Sequence, residues 1–420
     1  ACDELLAGRA DMMITGGVSR AESLYTQVGF SQLKALSPSG CCAPFDINAD
    51  GLVVGEGAGI IVLKRLEDAL SHGDTIYSLI RGIGLSNDLG GNLLAPDIGG
   101  QIRAMRAAYA SSGWSPLDVD YIECHGTGTP MGDRVELQSL CELWGTSGWQ
   151  AGQCALGSVK SNIGHLLTAA SASGLIKTIL AMQNDLLPPS LNFNRPAINS
   201  PLEKSPFRVQ TQIEQWPKRD FKTPKRAAVS AFGFGGINAH VLIESLSDDL
   251  ASNDRKPIHA VPSSQIEQDA LPTFCPVAVV GIQTIVGSLQ SLKEFQEVIF
   301  NGQTAIGPRS DGRWKGIDDI VNQILDCKSL PGAYLDLMNI HVGEFQIPPN
   351  EIQDILPQQL LMLKVAAGAL LDAKMPLREN RTRMGSIIGI GFDPETTNFH
   401  MRWALDRQLK QLQEETDLPA

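Results

Sequence analysis

The sequence predicts an α/β protein, and three observations carry that prediction. Apolar runs of strand length alternate with helical patterns along most of the chain. Several of these runs end in glycines and small polar residues, as strands do where they enter a loop. Hydrophobic residues make up 43% and charged residues 19%, the balance of a globular chain with a substantial core. At 420 residues, roughly two to three domains are expected.

The elements follow in order. Ala1 to Arg9 reads as the last turns of an amphipathic helix stopped by Gly8, with no initiator methionine, so the chain reads as a piece of a longer polypeptide. Asp11 to Thr15 is a short buried strand closed by Gly16-Gly17. Ser23 to Leu36 is helical, with Leu24, Val28 and Leu36 on one side, and Pro38, Gly40 and Pro44 mark a loop. The stretch Val53 to Leu63 contains G-x-G-x-G and continues as an apolar strand. A nucleotide loop would need G-x-G-x-x-G opening a helix, so closely packed strands around small glycines are expected instead. Ala69 to Gly73 ends a helix, Thr75 to Gly84 is a strand, and Gly99 to Ser112 is a helix stopped by Gly113. Val119 to Cys124 is a strand and Gly132 to Trp144 a helix. Ala155 to Val159 is a strand, and a small-residue helix spans Leu167 to Met182. Ala227 to Phe232 and Ala239 to Glu244 are strands flanking a glycine loop.

Residues 246 to 274 are rich in Ser, Asp, Asn, Pro and Gln and read as a linker. A second domain opens at Pro276 to Gly281, an apolar strand into a glycine turn. Helices follow at Leu292 to Asn301 and Gln358 to Lys374, then a buried strand at Met384 to Gly391 and a charged helix at Thr396 to Thr416.

The net charge of -12 and pI near 5.1 argue against nucleic acid or an anionic membrane as the main partner. No apolar run reaches the roughly 18 to 20 residues that span a bilayer. Eight scattered cysteines without a C-x-x-C pair argue against a metal site and for reduced thiols in a cytoplasmic protein.

Three loops carry candidate chemistry. Ile122 to Thr129 and Gly157 to His165 each run from a strand into a loop, the first with His125, the second with Lys160 and His165. Phe232 to Asn238 is a third strand-then-glycine loop. Two imidazoles on separate strand-end loops can hydrogen-bond a thioester oxygen and stabilise an enolate as it forms, and a lysine can hold a carboxylate. No convincing nucleophile accompanies them: there is no G-x-S-x-G elbow and no cysteine between a strand and a small-residue helix.

These residues resemble those of a known family. Pro44-Phe45-Asp46 with Ala49-Asp50-Gly51, the His125 to Thr129 run with Gly132-Asp133 and Glu136, the Gly157 to His165 run, and Phe232 to Asn238 with Ala239-His240 are similar to motifs of the β-ketoacyl synthases. The resemblance places residues 1 to about 246 in the C-terminal part of such an enzyme. It implies a dimeric thiolase-like fold layered α-β-α-β-α, and a cysteine nucleophile working with two histidines. His125 and His165 become the catalytic pair, with Lys160 and Glu136 in support. Phe232, Gly233, Phe234, Gly235, Thr127, Thr129 and Asn238 become the gating and oxyanion region, and His240 stays structural. The family's nucleophile lies about a dozen residues before the helix end that opens this chain, at the helix N-terminus, where the dipole favours thiolate. Cys2 is at the wrong end, so the chain is expected to lack its nucleophile and to be inactive alone.

Residues 275 to 420 resemble the start of a second ketosynthase-like domain. The matching runs are Pro276 to Gly281, Arg313-Trp314-Lys315-Gly316, Gly332 to Asp336, Ile347 to Glu351 and Leu356 to Lys364. Active members usually carry Asp-Pro-Gln-Gln-Arg where this chain has Leu356 and Leu360 at the ends of the motif, which is similar to the chain-length-factor domain of polyunsaturated fatty acid synthases. The resemblance implies decarboxylative condensation of malonyl units onto an acyl chain by the parent enzyme, without metal or nucleotide cofactor. Its partners would be acyl carrier protein domains with their phosphopantetheine arm, a ketosynthase-like dimer mate and other subunits of the synthase. A non-catalytic dimerisation or chain-length scaffold is the alternative, and a thiolase acting on coenzyme A thioesters a weaker one. Two half-domains each need a cover for one sheet face, so residues 275–420 are expected to pack on residues 1–246 in place of the absent half.

Overall fold

The computed structural model describes residues 1–20, 24–90, 95–217, 219, 223–247, 275–310, 313, 323, 330–352 and 355–391. Most of the expected linker, the Trp314-Lys315-Gly316 run and the Thr396 to Thr416 helix lie outside these residues.

The strands are β1 (Met12–Ser19), β2 (Gly57–Arg65), β3 (Ser78–Asn87), β4 (Tyr121–Glu123), β5 (Cys154–Gly157), β6 (Leu186–Leu187), β7 (Phe207–Val209), β8 (Glu214–Gln215), β9 (Arg226–Gly233), β10 (Ile237–Glu244), β11 (Val277–Val286) and β12 (Met384–Ile390). All but β6 and β8, which pair with each other, form a ten-stranded sheet in the order β12-β1-β2-β11-β3-β10-β9-β4-β5-β7. The helices are α1 (Cys2–Leu6), α2 (Leu24–Gln32), α3 (Leu66–His72), α4 (Ile98–Ser112), α5 (Pro130–Trp144), α6 (Lys160–Ile163), α7 (Ala170–Gln183), α8 (Leu292–Phe300) and α9 (Pro357–Asp372).

Side-chain alternation along the strands builds the layers. Met13, Ile61, Leu63, Val277 and Val279 from one half of the sheet and Tyr121, Ala155, Ala227 and Ile243 from the other meet Ile176, Ile179 and Leu180 of α7 in a central core. The neighbouring residues face outward. Met12, Ile14, Ile60, Val62, Ala278 and Val280 pack on Leu361, Val365 and Ala369 of α9. On the other half, Ile122, Leu156, Ala228 and Leu242 pack on Ile102, Met105, Leu137 and Leu140 of α4 and α5. Helix, sheet, helix, sheet and helix follow one another, so the layering is α-β-α-β-α.

Both segments of the chain build this sheet. β11 inserts between β2 and β3, antiparallel to each, and β12 adds parallel to β1. The N–H of Glu56 donates to the Ala333 carbonyl at 2.8 Å, and the N–H of Leu335 donates to the buried Glu56 carboxylate at 2.8 Å. The Arg313 guanidinium pairs with that carboxylate and stacks 4.8 Å from the Tyr334 ring. The described residues of 275–391 thus pack on the described residues of 1–246, as the half-domain reading expected.

Some local expectations change. Gly16 and Gly17 do not close β1 but lie inside it, because other backbones need their space: a Cβ on Gly17 would sit 2.1 Å from the Thr168 carbonyl oxygen. Gly281 likewise is not a turn. β11 runs through it with a register shift beside it, and a Cβ there would meet the Ala369 carbonyl at 2.4 Å. The Lys160 loop contains a helical turn, α6, and β12 is half exposed rather than buried.

Candidate active site

Parallel pairing brings the three loops together. β4 lies between β9 and β5 and runs parallel to both, so all three strands end on the same side of the sheet. The loops after β4 and β5 and the hairpin joining β9 to β10 therefore share one rim, the usual place for ligands in sheets of this kind.

Two carboxylates on α5 shape the first loop. Glu136 accepts the backbone N–H groups of His125 at 2.7 Å and Gly126 at 2.8 Å. Asp133, one turn earlier, accepts those of Phe45 at 2.7 Å and Gly128 at 3.2 Å, which ties the Pro44-Phe45-Asp46 loop to the same helix. Burial pushes both carboxyls up to about 7, against the pull of these N–H donors and, for Glu136, of Lys160. Ser158 Oγ donates to the Gly126 carbonyl at 2.7 Å, and the Thr127 and Thr129 hydroxyls lie 2.8 Å apart.

His165 is pinned on both sides. Its N–H donates to the Val53 carbonyl at 2.6 Å, and its own carbonyl accepts from Gly55 N–H at 3.0 Å. Its Nδ1 accepts the Leu167 N–H at 3.0 Å, and the Nδ1 of His125 accepts the Phe232 N–H at 3.4 Å. A neutral imidazole whose Nδ1 accepts carries its proton on Nε2. Burial, reinforced by Lys160, holds both rings well below the usual histidine range, so they are neutral donors at physiological pH. The ring centroids are 5.5 Å apart with planes at 80°. Two Nε2–H donors at that separation suit one oxygen that gains negative charge. Lys160 opens α6 and is buried, which lowers its pKa, while Glu123 and Glu136 oppose the shift.

Phe232 packs 5.9 Å from the His125 ring. Gly235 and Gly236 have φ of 87° and 75°, so the hairpin turns through conformations that side chains resist. Phe234 is 54% exposed at the tip and lies 5.6 Å from Phe30 of α2. Gly233 is exposed beside it. Asn238 turns away from the histidines: its Nδ2 donates to Asp88 Oδ1 at 2.7 Å, and the Asp88 N–H donates to the Gly236 carbonyl at 2.8 Å. His240 is buried between Ser230, at 3.1 Å, and Tyr109, and burial pushes it down to about 3.

Three contributors escaped the sequence reading. Phe30 and Asp88 lie on distant segments with no local signal for their contacts. Glu123 did have one, being a carboxylate inside an apolar strand. It accepts Tyr121 O–H at 2.6 Å and Val159 N–H at 2.6 Å and pairs with Lys177 at 2.9 Å, all buried, so it fixes the entry to the Lys160 turn. The thiols nearest the loops, Cys42 and Cys124, are pushed up by burial and are poor nucleophiles. Among the described residues no group of His, Cys, Asp and Glu could hold a metal ion.

The chain is similar in sequence and in fold to known proteins. The N-terminal domain of β-ketoacyl synthases matches residues 1–69 and 275–417, and the C-terminal domain of the same family matches residues 77–194. A polyunsaturated fatty acid synthase subunit of Thraustochytrium sp. is 32% identical over 97% of this chain and 19% of that protein. A phenolphthiocerol/phthiocerol polyketide synthase subunit of Mycobacterium tuberculosis is 44% identical over 59% of this chain and 16% of that protein. The chain therefore spans under a fifth of the length of these relatives. Among solved structures, a ketosynthase from module 6 of the bacillaene synthase of Bacillus subtilis aligns with TM-score 0.57 and 41% identity over 58% of this chain and 43% of that one. A PfaC keto synthase-chain length factor aligns with TM-score 0.54 and 36% identity over 89% of this chain and 38% of that one.

Proposed function

The chain belongs to the β-ketoacyl synthase family, and from that premise we propose that it supplies the decarboxylation and enolate-stabilising part of a condensing site in a polyunsaturated fatty acid or polyketide synthase. The observation that carries this reading is the pair of neutral histidines, each with Nδ1 accepting a backbone N–H and Nε2–H left to donate. A malonyl thioester held on a carrier's phosphopantetheine arm would place its thioester oxygen between them. As the carbon–carboxylate bond breaks, its electron pair moves into the enolate, carbon dioxide leaves, and the two donors take up the charge on oxygen. The enolate carbon then attacks an acyl thioester on the parent's cysteine. The new carbon–carbon bond forms, and the cysteine leaves as thiolate. Lys160 helps to keep His125 neutral, and Glu136 holds the His125 loop. No cysteine among the described residues fits the nucleophile, so the chain alone is expected not to condense.

The test uses the parent synthase. His125→Ala or His165→Ala is expected to lower both malonyl decarboxylation and condensation by about 100-fold or more, the usual worth of one such donor. Undiminished rates would refute the proposal.

A second reading applies to residues 275–391, as a chain-length-factor-like support. Their described residues brace the site from behind: Asn162 Nδ2 donates to the Gln303 carbonyl at 2.9 Å, and Ala305 N–H donates to the Asn162 carbonyl at 2.8 Å. Leu360, where active members usually carry arginine, is buried on α9.

A further inference from the structure

One carboxylate joins the roots of the two histidine loops. Glu123 ends β4, two residues before His125, and its Oε1 accepts the N–H of Val159, one residue before Lys160, at 2.6 Å. Both residues are buried. The turn that this bond enters cannot hold itself: α6 has four residues and no side-chain cap, and so short a helix has no stability of its own. Its far end is held at Asn162, by the contacts to Gln303 and Ala305 given above. At its near end the β4–β5 ladder stops where Cys124 N–H donates to the Gly157 carbonyl at 2.8 Å. Past that point the two loops are joined through the Ser158 hydroxyl, on the Gly126 carbonyl, and through Glu123.

The surroundings are shaped around that carboxylate. Glu123 Oε2 accepts the Tyr121 O–H at 2.6 Å and faces Lys177 Nζ of α7 at 2.9 Å, with the two charged side chains 2% and 0% exposed. Two glycines leave the space. A Cβ on Gly157 would lie 2.2 Å from Tyr121 Oη and 3.2 Å from Lys177 Nζ, and one on Gly174 would lie 3.0 Å from Glu123 Cγ. Packing does not call for this arrangement, because an ion pair taken out of water gains little over apolar side chains of similar volume. What apolar side chains lack is an acceptor for the Val159 N–H.

We propose that Glu123, with Lys177 behind it, is a positioning residue: it fixes the entry to α6 against the end of β4, and thereby the placement of the His165 ring relative to that of His125. The chain runs from Glu123 to His125 on one side of the bond, and from Val159 through α6 to His165 on the other. A slip at the bond is therefore carried to the two Nε2–H donors, which must meet at one oxygen. Lys177 acts one step further away, by keeping a charged acceptor in a buried place. The proposal rests on the reaction read above, in which both histidines hold the same oxygen, and the test separates the two.

The test measures malonyl decarboxylation in the parent synthase, and amide hydrogen exchange resolved to single residues in the full 420-residue chain. Two uncharged pairs replace the ion pair, so neither leaves a lone buried charge. Glu123→Leu with Lys177→Met loses the acceptor, and Glu123→Gln with Lys177→Met keeps one. The first pair is expected to lower kcat by about tenfold or more with KM within about twofold, and to speed exchange of the Val159 amide by about tenfold, with circular dichroism unchanged. The second is expected to stay within about threefold of the wild type in both, so that the conservative change rescues the loss. Val159→Pro breaks the same bond from its other side, at a φ of -59° that proline adopts, and leaves the ion pair in place, so it carries the test should the first pair not fold. Its kcat is expected to fall by about tenfold as well. His125→Ala, run beside them, reports on the reaction: undiminished decarboxylation there refutes the reaction, and Val159 exchange then decides the positioning by itself. Three results would each overturn the proposal: a Val159 amide equally slow in the wild type and both pairs; a kcat within about threefold of the wild type in the first pair or in Val159→Pro; or a loss in the second pair as large as in the first.

Discussion

At the scale of single residues, the site depends on groups held in their less usual charge state. Glu136 is the clearest case, because its carboxyl is raised to about 7 from 4.5, first by burial. In the unfolded chain the group ionises near its ordinary value. Between about pH 4.5 and 7 the folded protein therefore holds the proton longer, and Glu136's contribution to stability is lost as pH rises through that window. Glu136→Gln cannot ionise, so its stability relative to the wild type should improve by about 3 kcal/mol from pH 4.5 to pH 7. Urea unfolding at several pH values checks this, and a constant difference would show that Glu136 is not raised. The depressed histidines act in the opposite sense, since the unfolded chain takes up protons below about pH 6.5 and the folded one does not. That slope is common to wild type and variant and drops out of the comparison.

At the scale of elements, the sheet and the site are joined through close backbone contacts. Gly17 in β1 lies against the turn at Thr168, just after His165, whose Nδ1 is held by the Leu167 N–H. Gly17→Ala would put a Cβ 2.1 Å from a backbone oxygen and 2.9 Å from the Ala169 Cα, so the turn must move. A loss of about 1–3 kcal/mol is expected, with a changed His165 signal in imidazole NMR. Gly29→Ala in α2 meets nothing within 4 Å and should be neutral or stabilising by up to ~1 kcal/mol. Equal effects would show that β1 does not brace the turn. The same glycines mark how far the sequence could be read. The alternation of strands and helices located most elements, because period-two and helical patterns are local. Gly17 and Gly281 looked like turns because what demands a glycine there, a carbonyl from a distant helix or turn, is invisible in the neighbouring residues. The histidines, Lys160 and Glu136 were legible because each sits in a motif at fixed spacing. Phe30 and Asp88 were not, because only the folded sheet brings them to the hairpin.

At the scale of the whole molecule, the order of strands says how the two segments hold together. β11 is flanked on both sides by strands of the first segment, and its residues Val277, Val279 and Ile282 sit in the core shared with α7. β12 and α9 add a second face, and Glu56 joins the segments through a buried carboxylate that pairs with Arg313 of the second. Neither segment closes its own core, so covalent continuity between residues 247 and 275 should matter little once the sheet has formed. A protease site inserted in that interval and cut in the folded protein is expected to leave two pieces that co-elute on size exclusion and part only in denaturant. Their joint unfolding should remain one transition by tryptophan fluorescence and by circular dichroism alike. Glu56→Ala should weaken this association, because it removes the ion pair to Arg313 and the acceptor of the Leu335 N–H, both of which cross between the segments. Pieces that separate in native buffer, or that melt independently while still bound, would mean that the two segments are neighbours and not halves of one sheet.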